Sequence, residues 1–344
     1  MDVSTFDYHL PPAAIAQRPA GRRDASRLLL LDRERRERTD HRFAELPELL
    51  RPGDCLVVND SRVIPARVVA RDSWHGRETE LLFATPQTAT RWEVLARPAR
   101  RARPGARLSV ADGACVFRVV GVGEEGARVV ESESGEVLPL LERYGAPPLP
   151  PYIEHYAKPE PGDWERYQTV YADRPGSVAA PTAGLHFTRA LLDDLRARGT
   201  EIHAITLHVG TGTFRPIRAA RIEEHRLPPE RARIPQAVAA AVNRARAERR
   251  RVVAVGTTTT RALESAVDRE GRVQAWDGPV TLYIRPGHRF TVIDTLLTNF
   301  HLPRSSLLVL ASAFAGRDLI LDAYQHAVAS GYRFYSYGDA MLIT

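Results

Sequence analysis

The chain has 344 residues, of which 44% are apolar and 26% charged, with both signs well mixed and a formal net charge of +6. That length exceeds what one compact domain usually needs, and the composition excludes disordered and fibrous classes. The longest apolar stretch near the C-terminal end, 306–315, is too short for a bilayer, and the first residues lack the basic-then-apolar order of a signal peptide. A cytoplasmic protein without a membrane partner is expected.

Cys55 and Cys115 stand alone, without a partner at two-residue spacing, so neither a disulfide scaffold nor a cysteine metal site is suggested. Lys158 is the only lysine, so the basic side chains are otherwise all arginine. Arginine's planar fork grips phosphate in two-point contacts and favours an RNA partner, although a GC-rich genome gives the same bias. Arg97, Arg100, Arg101, Arg103 and Arg107 form a cluster denser than a random surface. It reads as a phosphate-facing patch, with a solvated turn as the alternative.

In chain order, an apolar strand at 55–58 leads into Asn59 and Asp60. From about 63 to 137 follow short alternating strands, among them 80–83, 92–95, 107–110 and 116–122, separated by glycine, proline and aspartate turns. Regular short strands without helices predict a small closed or nearly closed sheet, a β-barrel, because closure removes exposed edges. Pro147, Pro148, Pro150 and Pro151 then stiffen the chain and forbid helix.

After them strand and helix alternate. Thr188 caps a helix whose Leu191, Leu192 and Leu195 share a face and Gly199 ends it; a strand follows at 201–209. Pro235 opens a helix that turns Val238 and Val242 inward; a buried strand is predicted at 252–255 and a helix at 258–266. Strands are predicted at 280–285 and 290–295, helices at 305–314 and 319–329, and a last strand at 332–337. The expected fold is α/β: a mixed-sheet core from residues 1–61 and 151–344, with a small β-barrel inserted at 62–150.

No GxxxxGK[ST] phosphate loop, HExxH zinc helix or GxSxG elbow is present. Gly210, Thr211 and Gly212 lack the third glycine of a dinucleotide loop, and Arg215 and Pro216 stand where its helix would begin. What remains is a set of polar clusters at predicted strand ends, where α/β proteins gather ligands. They are Asn59-Asp60-Ser61-Arg62, then Pro181 to Phe187 with Thr182, Gly184 and His186, then His208 to Phe214 with Gly210, Gly212 and Thr213. Further along stand Gly256 followed by Thr257, Thr258, Thr259, Thr260 and Arg261, then Asn299 with His301, and finally Ser336 to Asp339. Small residues admit backbone amides to a ligand, helix starts favour anions, hydroxyls suit a ribose, and histidine exchanges protons near neutrality. Turn formation, helix capping or a satisfied structural histidine is the plainer account of each.

Together the clusters resemble the S-adenosylmethionine:tRNA ribosyltransferase-isomerase family of queuosine biosynthesis. The strings that carry the resemblance are NDSRVIPAR at 59–67, YQTVY at 167–171, AAPTAGLHF at 179–187, HVGTGTF at 208–214 and NFHLP at 299–303, within a match running from Phe6 to Met341. One stretch departs: after Glu223, Glu224 and His225 the family continues with methionine, histidine, serine and glutamate, whereas this chain has Leu227, Pro228, Pro229 and Glu230. A role for that second histidine is therefore not carried over.

The resemblance implies an α/β core with an inserted barrel and a transferase. Its reaction places the rearranged ribosyl unit of S-adenosylmethionine on 7-aminomethyl-7-deazaguanine at the tRNA wobble position, giving epoxyqueuosine with loss of adenine and methionine. No metal or redox cofactor is implied, because S-adenosylmethionine is consumed as a substrate. A monomer is expected. A sulfonium acidifies the neighbouring ribose carbon, so a modest general base suffices. His186, His208, His301 and Asp339 are the catalytic candidates. The substrate-binding candidates are Asn59, Asp60, Arg62, Thr182, Gly184, Gly210, Gly212, Thr213, Thr257, Thr258, Thr259, Arg261 and Asn299, and Arg100, Arg101 and Arg103 are those for tRNA. A non-catalytic tRNA-binding module and another S-adenosylmethionine-dependent tRNA-modifying enzyme are the rival readings.

Overall fold

Cys55–Asn59 (β3), Val252–Val255 (β14), Thr295–Asn299 (β16) and Ala340–Ile343 (β17) are buried at every position, the pattern of strands covered on both faces. They form the middle of a nine-stranded sheet in a computed structural model that describes every residue except Arg215, and every side chain except those of Glu125, Thr213 and Phe214. Arg27–Asp32 (β1) and Glu37–Arg42 (β2) close one side; Glu201–Leu207 (β12), Glu230–Ile234 (β13) and Trp276–Val280 (β15) close the other. The order is β15-β13-β12-β3-β14-β16-β17-β1-β2. Strand β2, with the sequence ERTDHR, is an exposed edge whose charges discourage pairing with another chain.

Helices cover the sheet where their apolar stripes require it. Arg189–Ala197 (α4) is capped by Thr188, whose hydroxyl accepts from the Leu191 amide at 3.1 Å, and buries Leu191, Leu192 and Leu195 with Leu56, Val58, Val253 and Leu297. Gln236–Ala247 (α5), Thr257–Ser265 (α6), Ser306–Ala315 (α7) and Arg317–Ala329 (α8) follow; earlier in the chain stand the shorter helices Leu46–Leu49 (α1), Val137–Tyr144 (α2) and Asp163–Arg166 (α3) and the short strands Ser61–Val63 (β4) and Arg174–Ser177 (β11). This mixed-sheet unit comprises Met1–Arg62, Gln168–Arg174 and Ala180–Thr344.

The second unit comprises Val63–Tyr167 and Pro175–Ala179, so residues 151–167 group with it rather than with the core. Arg67–Asp72 (β5), Glu78–Pro86 (β6), Arg91–Arg97 (β7), Arg107–Val110 (β8), Cys115–Val122 (β9) and Arg128–Ser132 (β10) form a closed barrel in the order β10-β7-β6-β5-β8-β9. Inward positions alternate with outward ones, and Phe83 meets Phe117 at 4.9 Å and Trp92 at 6.1 Å inside it.

Three predicted strands are absent. Pairing stops at Val280, the end of β15, and over 290–295 the amides of Thr291, Val292 and Ile293 donate to the buried carboxylate of Glu264 instead of to a ladder. Pairing resumes only at Thr295. Over 332–337 the chain turns, with Tyr335 at φ +76°, and the aromatic side chains pack on Phe300 and Tyr324 while β17 forms three residues later.

Candidate active site

β3 runs parallel to β12 and β14, and β14 parallel to β16, so the carboxyl ends of these four strands share one edge of the sheet. β17 is antiparallel to β16 and parallel to β1, which brings the starts of β17 and β1 to that same edge. Every polar cluster of the core that the sequence suggests lies along it. The chain progresses from β3 to β12 on one side and from β14 to β16 on the other, so a topological switch point lies between β3 and β14. Asn59 and Thr258 bridge it, with Nδ2 to Oγ1 at 3.5 Å.

At about 4.8 Å per strand, the ends of β12 and β16 are roughly 14 Å apart, and the residues fall into two groups. The first surrounds the switch point. His208 follows β12 and is half-buried; its Nδ1 lies 2.7 Å from the buried hydroxyl of Ser61. Burial, with Arg231 nearby, lowers its pKa below the ordinary 6.5. Asp60 accepts from the Thr206 hydroxyl at 2.6 Å, and burial raises its carboxyl above the usual range. Thr257 and Thr258 open α6 after Gly256, whose φ of +90° favours glycine. Glu230 on β13 is buried; it accepts from the Gly210 amide at 3.0 Å and from Arg261 Nη1 at 2.5 Å. Sequence reasoning gives Glu230 no role, although its place as an inward acidic residue in an alternating strand marks it.

The second group is packed more tightly. His186 is buried, with Nδ1 at 2.7 Å from Ser26 Oγ, Nε2 at 3.3 Å from Asn299 Nδ2, and the Phe43 ring stacked at 4.9 Å. Burial, helped by Arg333 and Arg23, brings its pKa down to about 3. His301 is buried with Nε2 at 2.8 Å from Thr298 Oγ1, and burial brings its pKa to about 3 as well. Tyr8 donates to the His301 carbonyl at 2.5 Å, and the His301 amide donates to Tyr324 at 3.0 Å. Asp339 is buried and accepts from the backbone amides of Arg27 at 2.9 Å and Arg333 at 2.8 Å. It fastens the turn that precedes β17.

Several suggested residues thus have framework partners. Asn59 donates to the Leu207 carbonyl at 2.9 Å and accepts from the Leu207 amide at 2.9 Å and the Ser61 amide at 3.1 Å, tying β3 to β12. Thr259 donates back to the Val255 carbonyl at the end of β14 at 2.7 Å. A Cβ at Gly184 would lie 2.1 Å from the Tyr171 hydroxyl, so close packing requires glycine there. A Cβ at Gly212 would come within 2.8 Å of Pro228, one of the residues that departs from the family pattern. Arg62 is exposed and Thr182 half-buried, while the side chain of Thr213 lies outside the described residues. In the barrel unit Arg100 and Arg103 are exposed and Arg101 is partly so; among the described residues no carboxylate pairs with them. Nor is there, among those residues, a group of three or more histidine, cysteine or acidic side chains placed to hold a metal ion, or a helix long and apolar enough to cross a membrane.

A mixed α/β sheet that gathers acid, base and hydroxyl groups at its switch point, in a chain interrupted by a closed barrel, defines a small-molecule-binding α/β protein of two units. Residues 3–343 match the family described as queuosine biosynthesis protein, and the chain belongs to that family. It is 52% identical over 345 residues to the S-adenosylmethionine:tRNA ribosyltransferase-isomerase of Moorella thermoacetica, covering all of both chains. The protein of the same name from Thermus thermophilus is 53% identical over 349 residues, with 99% of each chain covered. The crystal structure of S-adenosylmethionine tRNA ribosyltransferase from Thermotoga maritima matches 99% of this chain and 100% of its own at 35% identity and a TM-score of 0.57.

Proposed function

We propose that the protein transfers and isomerises the ribosyl moiety of S-adenosylmethionine onto 7-aminomethyl-7-deazaguanine at the wobble position of tRNA, giving epoxyqueuosine-tRNA, adenine and methionine. The observation that carries the reading is the end-to-end match, at about half identity, to relatives named for ribosyl transfer and isomerisation. The protein acts as a cytoplasmic monomer, and no metal or redox cofactor takes part. The sulfonium supplies the activation.

His208 is the general base in this reading. It alone among the three candidate histidines is partly open to a ligand, and its lowered pKa leaves it unprotonated at neutral pH. With Nδ1–H donating to Ser61, Nε2 presents a free lone pair to the ribose carbon beside the sulfonium. Loss of that proton expels adenine and leaves an electrophile for the aminomethyl nitrogen of the RNA; a sugar oxygen then closes the epoxide by displacing the sulfonium sulfur, which leaves as methionine. Asp60 and the hydroxyls of Thr257 and Thr258 hold the ribose. His186, His301 and Asp339 keep the adjoining turns in place, and Arg100, Arg101 and Arg103 meet the RNA phosphates.

Incubation with S-adenosylmethionine and an anticodon stem-loop bearing 7-aminomethyl-7-deazaguanine tests the reading. Adenine and methionine in equal amounts, with a matching gain in RNA mass, are expected. S-adenosylhomocysteine would identify a methyltransferase instead, and RNA binding without any of these products would identify a binding module.

A further inference from the structure

A small cleft beside α6 is lined by Leu227, Ile284, Leu307 and Leu310, with Arg261, Tyr283 and Ser306 as polar members. Arg261 is only 5% exposed. Its Nη1 is bound to Glu230 and its Nε donates to the Leu282 carbonyl at 2.9 Å, but its Nη2 is buried without a partner. The Tyr283 hydroxyl is likewise buried and unpartnered, and the ring is met edge-on by His225 at 5.4 Å. Burial pushes that hydroxyl up to about 12, so it is a donor at neutral pH. Two unused donors in one apolar cleft are an unusual arrangement, because buried polar groups are normally satisfied.

We infer that Arg261 Nη2 and the Tyr283 hydroxyl hold the α-carboxylate of the amino-acid portion of S-adenosylmethionine, an inference that rests on the function proposed above. Both donors suit a carboxylate, and the largely apolar lining strengthens charge-assisted bonds. Glu230 already balances one charge of the site, so Arg261 is held in place before the ligand arrives. Position on α6 agrees. Thr257 and Arg261 share a helix face one turn, roughly 6 Å, apart, so one ligand can place its ribose at the threonines and its carboxylate in the cleft. Leu227 lines the cleft where the family pattern has methionine, a substitution that keeps this wall apolar.

Arg261 itself is a poor probe, since its removal would leave Glu230 buried without a cation. Tyr283→Phe removes only a hydroxyl that has no protein partner, and its melting temperature should equal or exceed that of the parent. The experiment compares adenine release from S-adenosylmethionine and from its decarboxylated analogue, with the anticodon stem-loop saturating. The parent should favour S-adenosylmethionine, and Tyr283→Phe should raise KM for it by roughly 10- to 100-fold while KM for the analogue stays unchanged. An equal loss on both substrates, a parent that accepts both equally, or a shift confined to KM for the RNA would overturn the assignment and leave the proposed function standing. A parent that releases no adenine from either compound would overturn both.

Discussion

Ser61 Oγ and His208 Nδ1 lie 2.7 Å apart across the ends of two adjacent parallel strands. The contact orients the imidazole while leaving Nε2 with no hydrogen bond to a described residue. Because burial and Arg231 lower the pKa of His208 below 6.5, its active, unprotonated form persists to mildly acidic pH. Adenine release should therefore be flat near neutrality and fall as pH drops through a pKa below 6.5. A pH–rate profile of kcat for the parent and for Arg231→Ala checks this. Removing the cation should move the acid limb to higher pH.

His186 and His301 are expected to show themselves in stability rather than in rate. Their folded-state pKa values of about 3 lie below the ordinary 6.5, so between those limits the unfolded chain binds the extra protons. The stabilisation is complete above pH 6.5 and is lost as pH falls toward 3, by about 1.4 kcal/mol per pH unit for each histidine. Urea unfolding at a series of pH values should give that slope. His301→Gln should remove one histidine's share of it, with turnover of the folded variant within tenfold of the parent; an unchanged slope would contradict the assignment.

The Glu230–Arg261 pair joins β13 to α6 with both partners buried. Glu230→Gln leaves the guanidinium without its counter-charge and weakens the hydrogen bond from the Gly210 amide. Breaking such a pair costs about 3–5 kcal/mol. Equilibrium unfolding in urea should show a loss of that order, whereas a change below 1 kcal/mol, roughly the worth of an exposed pair, would place the pair in a far more solvated setting.

For the arginines of the barrel unit, replacing Arg100, Arg101 and Arg103 together by glutamine should weaken stem-loop binding. The slope of log affinity against log salt should fall by roughly one unit for each phosphate that the variant no longer neutralises. Filter binding between low and moderate salt measures it, and an unchanged slope would clear the patch of a role.

How much of this was legible in the sequence follows from the range of the forces involved. The barrel and α4 to α8 could be read because alternation, caps and apolar stripes are local, as with Thr188 and Leu191. The strand expected at 290–295 could not be rejected, because the group that captures its amides, Glu264, lies 27 residues or more away in sequence. β2 has no apolar alternation at all, since an edge strand can be charged on both faces. The polar clusters were visible as strings, and the sheet brings them to one edge. What separates His208 from His186 and His301 is burial and pairing with Ser61, Ser26 and Thr298, two of them contacts across about 150 residues. No string of residues encodes that difference.

The most direct test of the account is single-turnover adenine release by His208→Gln, measured beside thermal unfolding and equilibrium binding of S-adenosylmethionine. A general base contributes about a hundredfold to ten-thousandfold, so the rate should fall by that factor and lose its acid limb, with melting temperature and affinity held. A variant that folds, binds and still releases adenine at near the parent rate would contradict the placement of the chemistry at the switch point.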